Sequence, residues 1–134
     1  MNNNSDIRIV IADPVSAIRT SFAELFTIAA GWHVVAQAVD AFDAVSAARR
    51  THADVVLLAS QTNGLTITEV RALLKPSGVL VVGLIDRPEE YANHDGPSVS
   101  KSVPFTVLHA RMSAFLNDHF SRRSPLGTVT EVTR

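Results

Sequence analysis

The stretch Ala53-Asp54-Val55-Val56-Leu57-Leu58-Ala59-Ser60 decides how this chain folds. Five consecutive apolar residues follow an acid and stop at a polar one. The run is too short for a helix, and it lacks the alternation of a strand with one wet face. It fits a strand covered on both faces, as in parallel sheets. Working outward, similar runs occur at Ile7 to Ala12, broken only by Arg8, at His33 to Val39, and at Val79 to Ile85. Ser98 to Ser100 supplies a short last strand.

Helical patterns separate these runs. Asp13-Pro14 reads as an N-cap followed by the first helical position. Val15, Ile18, Phe22, Leu25, Phe26 and Ala29 then recur at helical spacing, and Gly31 closes the segment. Asp40 caps a second helix that runs to about His52. Thr66-Ile67-Thr68-Glu69 is a capping box opening a third helix, which ends near Lys75 before the Pro76-Ser77-Gly78 turn. Asp86-Arg87-Pro88-Glu89-Glu90 opens at most a short helix, which Asn93-His94-Asp95-Gly96-Pro97 stops. Pro104 opens a final helix to about Phe120. The expected fold is α/β, a doubly wound five-stranded parallel sheet with its fourth helix short or missing. Residues 1–6 form a polar arm, 7–120 one domain and 121–134 a flexible tail.

The composition narrows the function. The 134 residues are 46% hydrophobic and 19% charged with a formal net charge of -1, which suits one globular domain and no nucleic-acid or membrane surface. The chain has no cysteine, so disulfides and thiolate metal sites are excluded. No apolar run approaches the roughly 20 residues that span a bilayer. The polar start is unlike a signal peptide, and the expected location is the cytoplasm.

In an open parallel sheet, ligands bind beyond the carboxyl ends of the strands. That rule gathers Asp13 and Pro14, Ala59 and Ser60, Gly83 and Leu84, and Lys101. Taken together, Ile7-Arg8-Ile9-Val10-Ile11-Ala12-Asp13, Trp32 to Asp40, Ala53 to Leu58, the fourth strand and Ser100-Lys101-Ser102 resemble a response-regulator receiver domain. The resemblance is closest to the receivers of regulators with a LuxR/NarL-type output, and it spans about residues 6 to 118. It implies a CheY-like, flavodoxin-like sheet of order 2-1-3-4-5 and a role in two-component phosphorelay signalling.

The resemblance also implies five chemical groups. Two adjacent acids and an acceptor Asp hold Mg²⁺, a Thr or Ser ends the fourth strand, and a Lys follows the fifth. Here Asp13 matches the first acid, but Pro14 stands at the second. Ala59 occupies the phospho-acceptor position, Gly83 the Thr/Ser position to within one residue, and Lys101 the Lys. A methyl group can neither accept a phosphoryl group nor hold a metal. The implied protein is a degenerate pseudo-receiver with no Mg²⁺ site, no cofactor and no catalytic residue. It would act by binding a protein partner or a second copy of itself.

Several competing roles stand beside these. Asp13 serves as a helix cap, and Lys101 pairs with Asp13 across the strand ends rather than waiting for an anion. The five histidines show no metal-ligand spacing and fit surface or strand-end places. Arg49-Arg50 and Arg122-Arg123 fit solvated helix faces, and Trp32 fits packing at a strand start. The alternative functions are a small-molecule or anion sensor at Ala59, Gly83 and Lys101, and a phospho-receiver with a displaced acceptor at Asp54 or Asp86. A regulator that lost its output domain is a further one. The segment after Phe120 carries no helix-turn-helix pattern, so DNA binding by this chain alone is not expected.

Overall fold

The computed structural model describes residues 6–60, 64–87 and 96–123. Its elements are β1 (Ile7–Ala12), α1 (Ser16–Ile28), β2 (Trp32–Ala38), α2 (Ala41–Thr51), β3 (Val55–Ala59), α3 (Ile67–Leu74), β4 (Leu80–Ile85), β5 (Ser98–Ser100) and α4 (Phe105–Arg123). The strands form one sheet of order β2-β1-β3-β4-β5, and every neighbouring pair is parallel. This is the doubly wound arrangement that the continuous apolar runs demand, since each central strand needs a helical layer on both faces.

The two layers separate cleanly. On one face Val10, Ala12, Val56, Leu58 and Val81 pack against α2 and α3 through Ala44, Ala48, Ile67, Val70 and Leu74. On the other, Ile9, Ile11, Val55, Leu57, Val82 and Leu84 pack against α1 and α4 through Phe26, Leu108, Met112 and Leu116. The alternation within each strand assigns successive residues to opposite layers. Among the described residues, no helix is long and apolar enough to cross a membrane.

Local signals hold in most places. Asp40 accepts the Asp43 N–H at 2.8 Å and caps α2, which ends at His52 with a left-handed φ of 55°. Thr66 and Glu69 form the complete capping box of α3. Two sequence expectations need correction. Helix α1 begins at Ser16 with Val15 as its N-cap, so Asp13 is not the cap and Pro14 is not the first helical residue. The backbone N–H of Asp13 still bonds the Ala38 carbonyl at 3.1 Å, in line with the sheet. Its side chain accepts the Val15 N–H at 2.9 Å instead, a turn that brings the chain around proline before the helix can start. Helix α4 runs to Arg123, past the Phe120 boundary, and His119 in its last turns bonds the Gly78 carbonyl at 2.9 Å. The expected short or missing helix between Asp86 and Pro97 lies largely in residues 88–95, outside the described residues, as does the tail from Ser124.

The histidines divide. His33 and His52 are exposed, as expected. His109 is instead enclosed by Trp32, Phe105 and Phe26 at centroid distances of 5.4, 5.6 and 6.3 Å. Trp32 packs at the start of β2, 4.8 Å from the Phe26 ring.

Candidate functional site at the strand ends

The carboxyl ends of β1, β3, β4 and β5 bring together most of the residues singled out above. Asp13, directly after β1, is wholly buried. One carboxylate oxygen accepts the Val15 N–H, and the other lies 3.0 Å from Lys101 Nζ. The ammonium contact is an ion pair whose alignment falls short of a hydrogen bond. The Asp13 carbonyl accepts Arg19 Nη1 at 2.9 Å, which fixes the turn from the helix side. Lys101 sits where β5 ends, its backbone N–H bonded to the Ile85 carbonyl at 2.9 Å. Its flank is held by the Ser100 and Ser102 hydroxyls, 2.7 Å apart. The pairing expected across the strand ends is therefore present.

Ala59 is the last residue of β3 and is wholly buried. Its partner across the ladder is Leu84, while Gly83 pairs with Leu58. Registered residues on parallel strands face the same layer, so Ala59 and Leu84 share the α1/α4 side. Gly83 faces α3 instead. A Cβ added there would lie 2.9 Å from Ile67 Cδ1 and 3.1 Å from Ser98 Oγ. Gly83 is thus a close-packing position between β4 and α3. The sequence places Gly83 and Leu84 together at this strand end but does not separate them, because an unbroken apolar run carries no mark of which residue faces which layer. Pro14 is exposed beside the turn and brings no side-chain oxygen.

This geometry decides the fold comparison: a parallel 2-1-3-4-5 sheet with an acid after the first strand and a lysine after the fifth. The fold is that of response-regulator receiver domains. A two-component response regulator of the LuxR family from Aurantimonas sp. SI85-9A1 superposes with a TM-score of 0.73 at 24% identity, covering 85% of this chain and 87% of its own. The receiver domain of the putative response regulator NarL from Mycobacterium tuberculosis gives 0.67 at 18%, covering 83% and 97%. A CheY-like receiver domain protein from Methanospirillum hungatei JF-1 gives 0.70 at 17%, covering 88% and 99%. No protein-family model and no curated protein matches the sequence.

The receiver fold implies Mg²⁺, and the residues here do not fit it. The ion needs oxygen ligands, typically one or two carboxylates with a phosphate. Asp13 has one oxygen on the Val15 N–H and the other against the Lys101 ammonium, so a cation would have to displace that charge. Pro14 and Ala59 offer no side-chain oxygen. Among the described residues, no group of three or more His, Asp or Glu is placed to hold a metal.

Proposed function

We propose that this chain is a pseudo-receiver of two-component signalling that acts by phosphorylation-independent protein–protein interaction. The observation that carries this reading is the Asp13–Lys101 pair beside a buried Ala59. In a working phospho-switch the lysine must be available to a phosphoryl group on a carboxylate. Here the acceptor position is a methyl group, and the lysine's charge is directed to Asp13. Leu84, registered with Ala59, offers no hydroxyl to sense an added group, and we assign it, rather than Gly83, the Thr/Ser position of the family. The degenerate site consists of Asp13, Pro14, Ala59, Leu84 and Lys101. What remains is a scaffold of one sheet covered by helices on both faces, whose surfaces are the working parts.

Incubation with Mg²⁺ and a small-molecule phosphodonor such as acetyl phosphate should leave the intact mass unchanged. A gain of one phosphoryl group would overturn the reading, and peptide mapping would show whether Asp54 or Asp86 had accepted it. Millimolar Mg²⁺ should also leave the unfolding temperature unshifted; a saturable rise would mean that the strand-end carboxylate does take the ion.

A further inference from the structure

The outer edge of β4 is only half covered. Strand β5 is registered with Gly83, Leu84 and Ile85. Leu80, Val81 and Val82 have β3 on one side and, among the described residues, no strand on the other. A cavity of about 720 Å³ lies along this stretch, with Lys75, Pro76, Val79, Leu80, Pro97 and His119 in its wall. In a parallel ladder the backbone groups of every second residue point to the same neighbour. The Gly83 N–H meets the Pro97 carbonyl at 3.0 Å, so Val81, two residues earlier, faces the same outer side. Arg71 stands in for a strand at one point there. Its Nε donates to the Val81 carbonyl at 3.2 Å, and its Nη2 to the Pro97 carbonyl at 2.7 Å. The Val81 N–H has no acceptor among the described residues, although Val81 is only 2% exposed. A buried N–H is normally paired, and an open stretch of sheet edge is where an extended segment adds.

The position of α4 and the sequence after it name the occupant. His119 bonds the Gly78 carbonyl at 2.9 Å in the cavity wall, and α4 ends one turn later at Arg123. The chain therefore leaves this helix beside the cavity. At about 3.3 Å per residue, residues 124–134 are several times longer than the open edge. Ser124-Pro125 and Gly127 have the composition of a turn. Thr128-Val129-Thr130-Glu131-Val132-Thr133 follows, β-branched at every position but Glu131. Glu131 is also the only acid in residues 119–134, and Lys75 is exposed at the cavity. A strand added here supplies a carbonyl to the Val81 N–H and sets a carboxylate against the Lys75 ammonium.

We propose that residues 128–133 dock in cis as an added strand along the Leu80–Val82 edge of β4. This docking does not involve the strand-end site, so it and the phosphorylation-independent reading fail separately.

In the whole chain, Thr130→Pro removes a ladder N–H from the segment and should quicken amide exchange at Val81 at least about tenfold. Val56, in the centre of the sheet, should be unchanged, which also verifies that the domain keeps its fold. Lys75→Glu should quicken Val81 exchange about two- to threefold, and Lys75→Glu/Glu131→Lys should restore it. The chain has no native cysteine, so paired thiols report contacts directly. Ala72→Cys, exposed in the cavity wall, should close an intramolecular disulfide with Thr130→Cys on mild oxidation at low micromolar concentration. Asn117→Cys is also near the end of α4 but borders a different hollow, and it should close with Thr130→Cys at least about tenfold more slowly. An unchanged Val81 rate in Thr130→Pro would overturn the proposal, as would faster closure through Asn117→Cys. A disulfide that joins two chains at that concentration would place a second copy on the edge and overturn docking in cis.

Discussion

Asp13 is wholly buried, and its charge is met by the ammonium of Lys101, a side chain only 16% exposed. Removing one member of such a pair leaves the other without compensation, which is the costly case. Lys101→Met should destabilise the protein by about 3 kcal/mol in urea unfolding. Asn in place of Asp13 retains an acceptor for the Val15 N–H and carries no charge. The double variant Asp13→Asn/Lys101→Met should therefore recover at least half of that loss. Strict additivity of the two single changes would show that the pair is not coupled. Gly83 has a different duty. Gly83→Ala should cost about 1–3 kcal/mol, because the new methyl meets Ile67 Cδ1 at 2.9 Å. Ile67→Val deletes that atom, so the double variant should lose less than the sum of the two. A Gly83→Ala protein as stable as the wild type would remove the packing role.

At the scale of the element, the helices differ in how they begin. Helix α3 has only eight residues and relies on a complete capping box over Ile67, Val70 and Leu74. Thr66→Ala should lower stability by about 1 kcal/mol, read as a shift in the urea midpoint. No loss would mean that burial alone holds the helix start. Helix α1 has no side-chain cap. The Asp13-Pro14 pair has the composition of a cap, but the sheet holds Asp13 by its backbone and the turn claims its side chain. Local pattern proposes a cap, and the long-range ladder to β2 decides otherwise. The exposed edge strand β2 shows a similar intervention. Its register with β1 shifts between Ile9 and Val10, leaving Val35 as an extra residue. A bulge of that kind bends the edge and discourages strand addition there.

Across the whole molecule, stability should follow the sheet order. The central strands β3 and β4 are buried along their full length, whereas β5 pairs through only three residues. Amide exchange should be slowest at Val55 to Leu58 and Val81 to Leu84, and should be faster by orders of magnitude at β5. Uniform protection across all five strands would contradict a sheet that opens from that edge.

Much of this architecture is legible in the chain of residues alone. Unbroken apolar runs such as Val55-Val56-Leu57-Leu58 require cover on both faces. The helical patterns between them supply it, and the methyl side chain of Ala59 at the end of that run is visible there too. Face and partnership are not legible in that way. Leu84 and Gly83 are equally apolar neighbours, and only the register against β3 shows which one meets Ala59. Asp13 and Lys101 lie in distant segments, and their contact exists only once β1 and β5 stand in the same sheet. Phe42 resembles any core aromatic until α2 and α3 are placed and its ring is found at the surface. Local sequence determines which segments are strands and helices, because burial period and capping act over a few residues. Tertiary structure alone decides which side chains meet, because that depends on register and layer, which no short stretch of chain encodes.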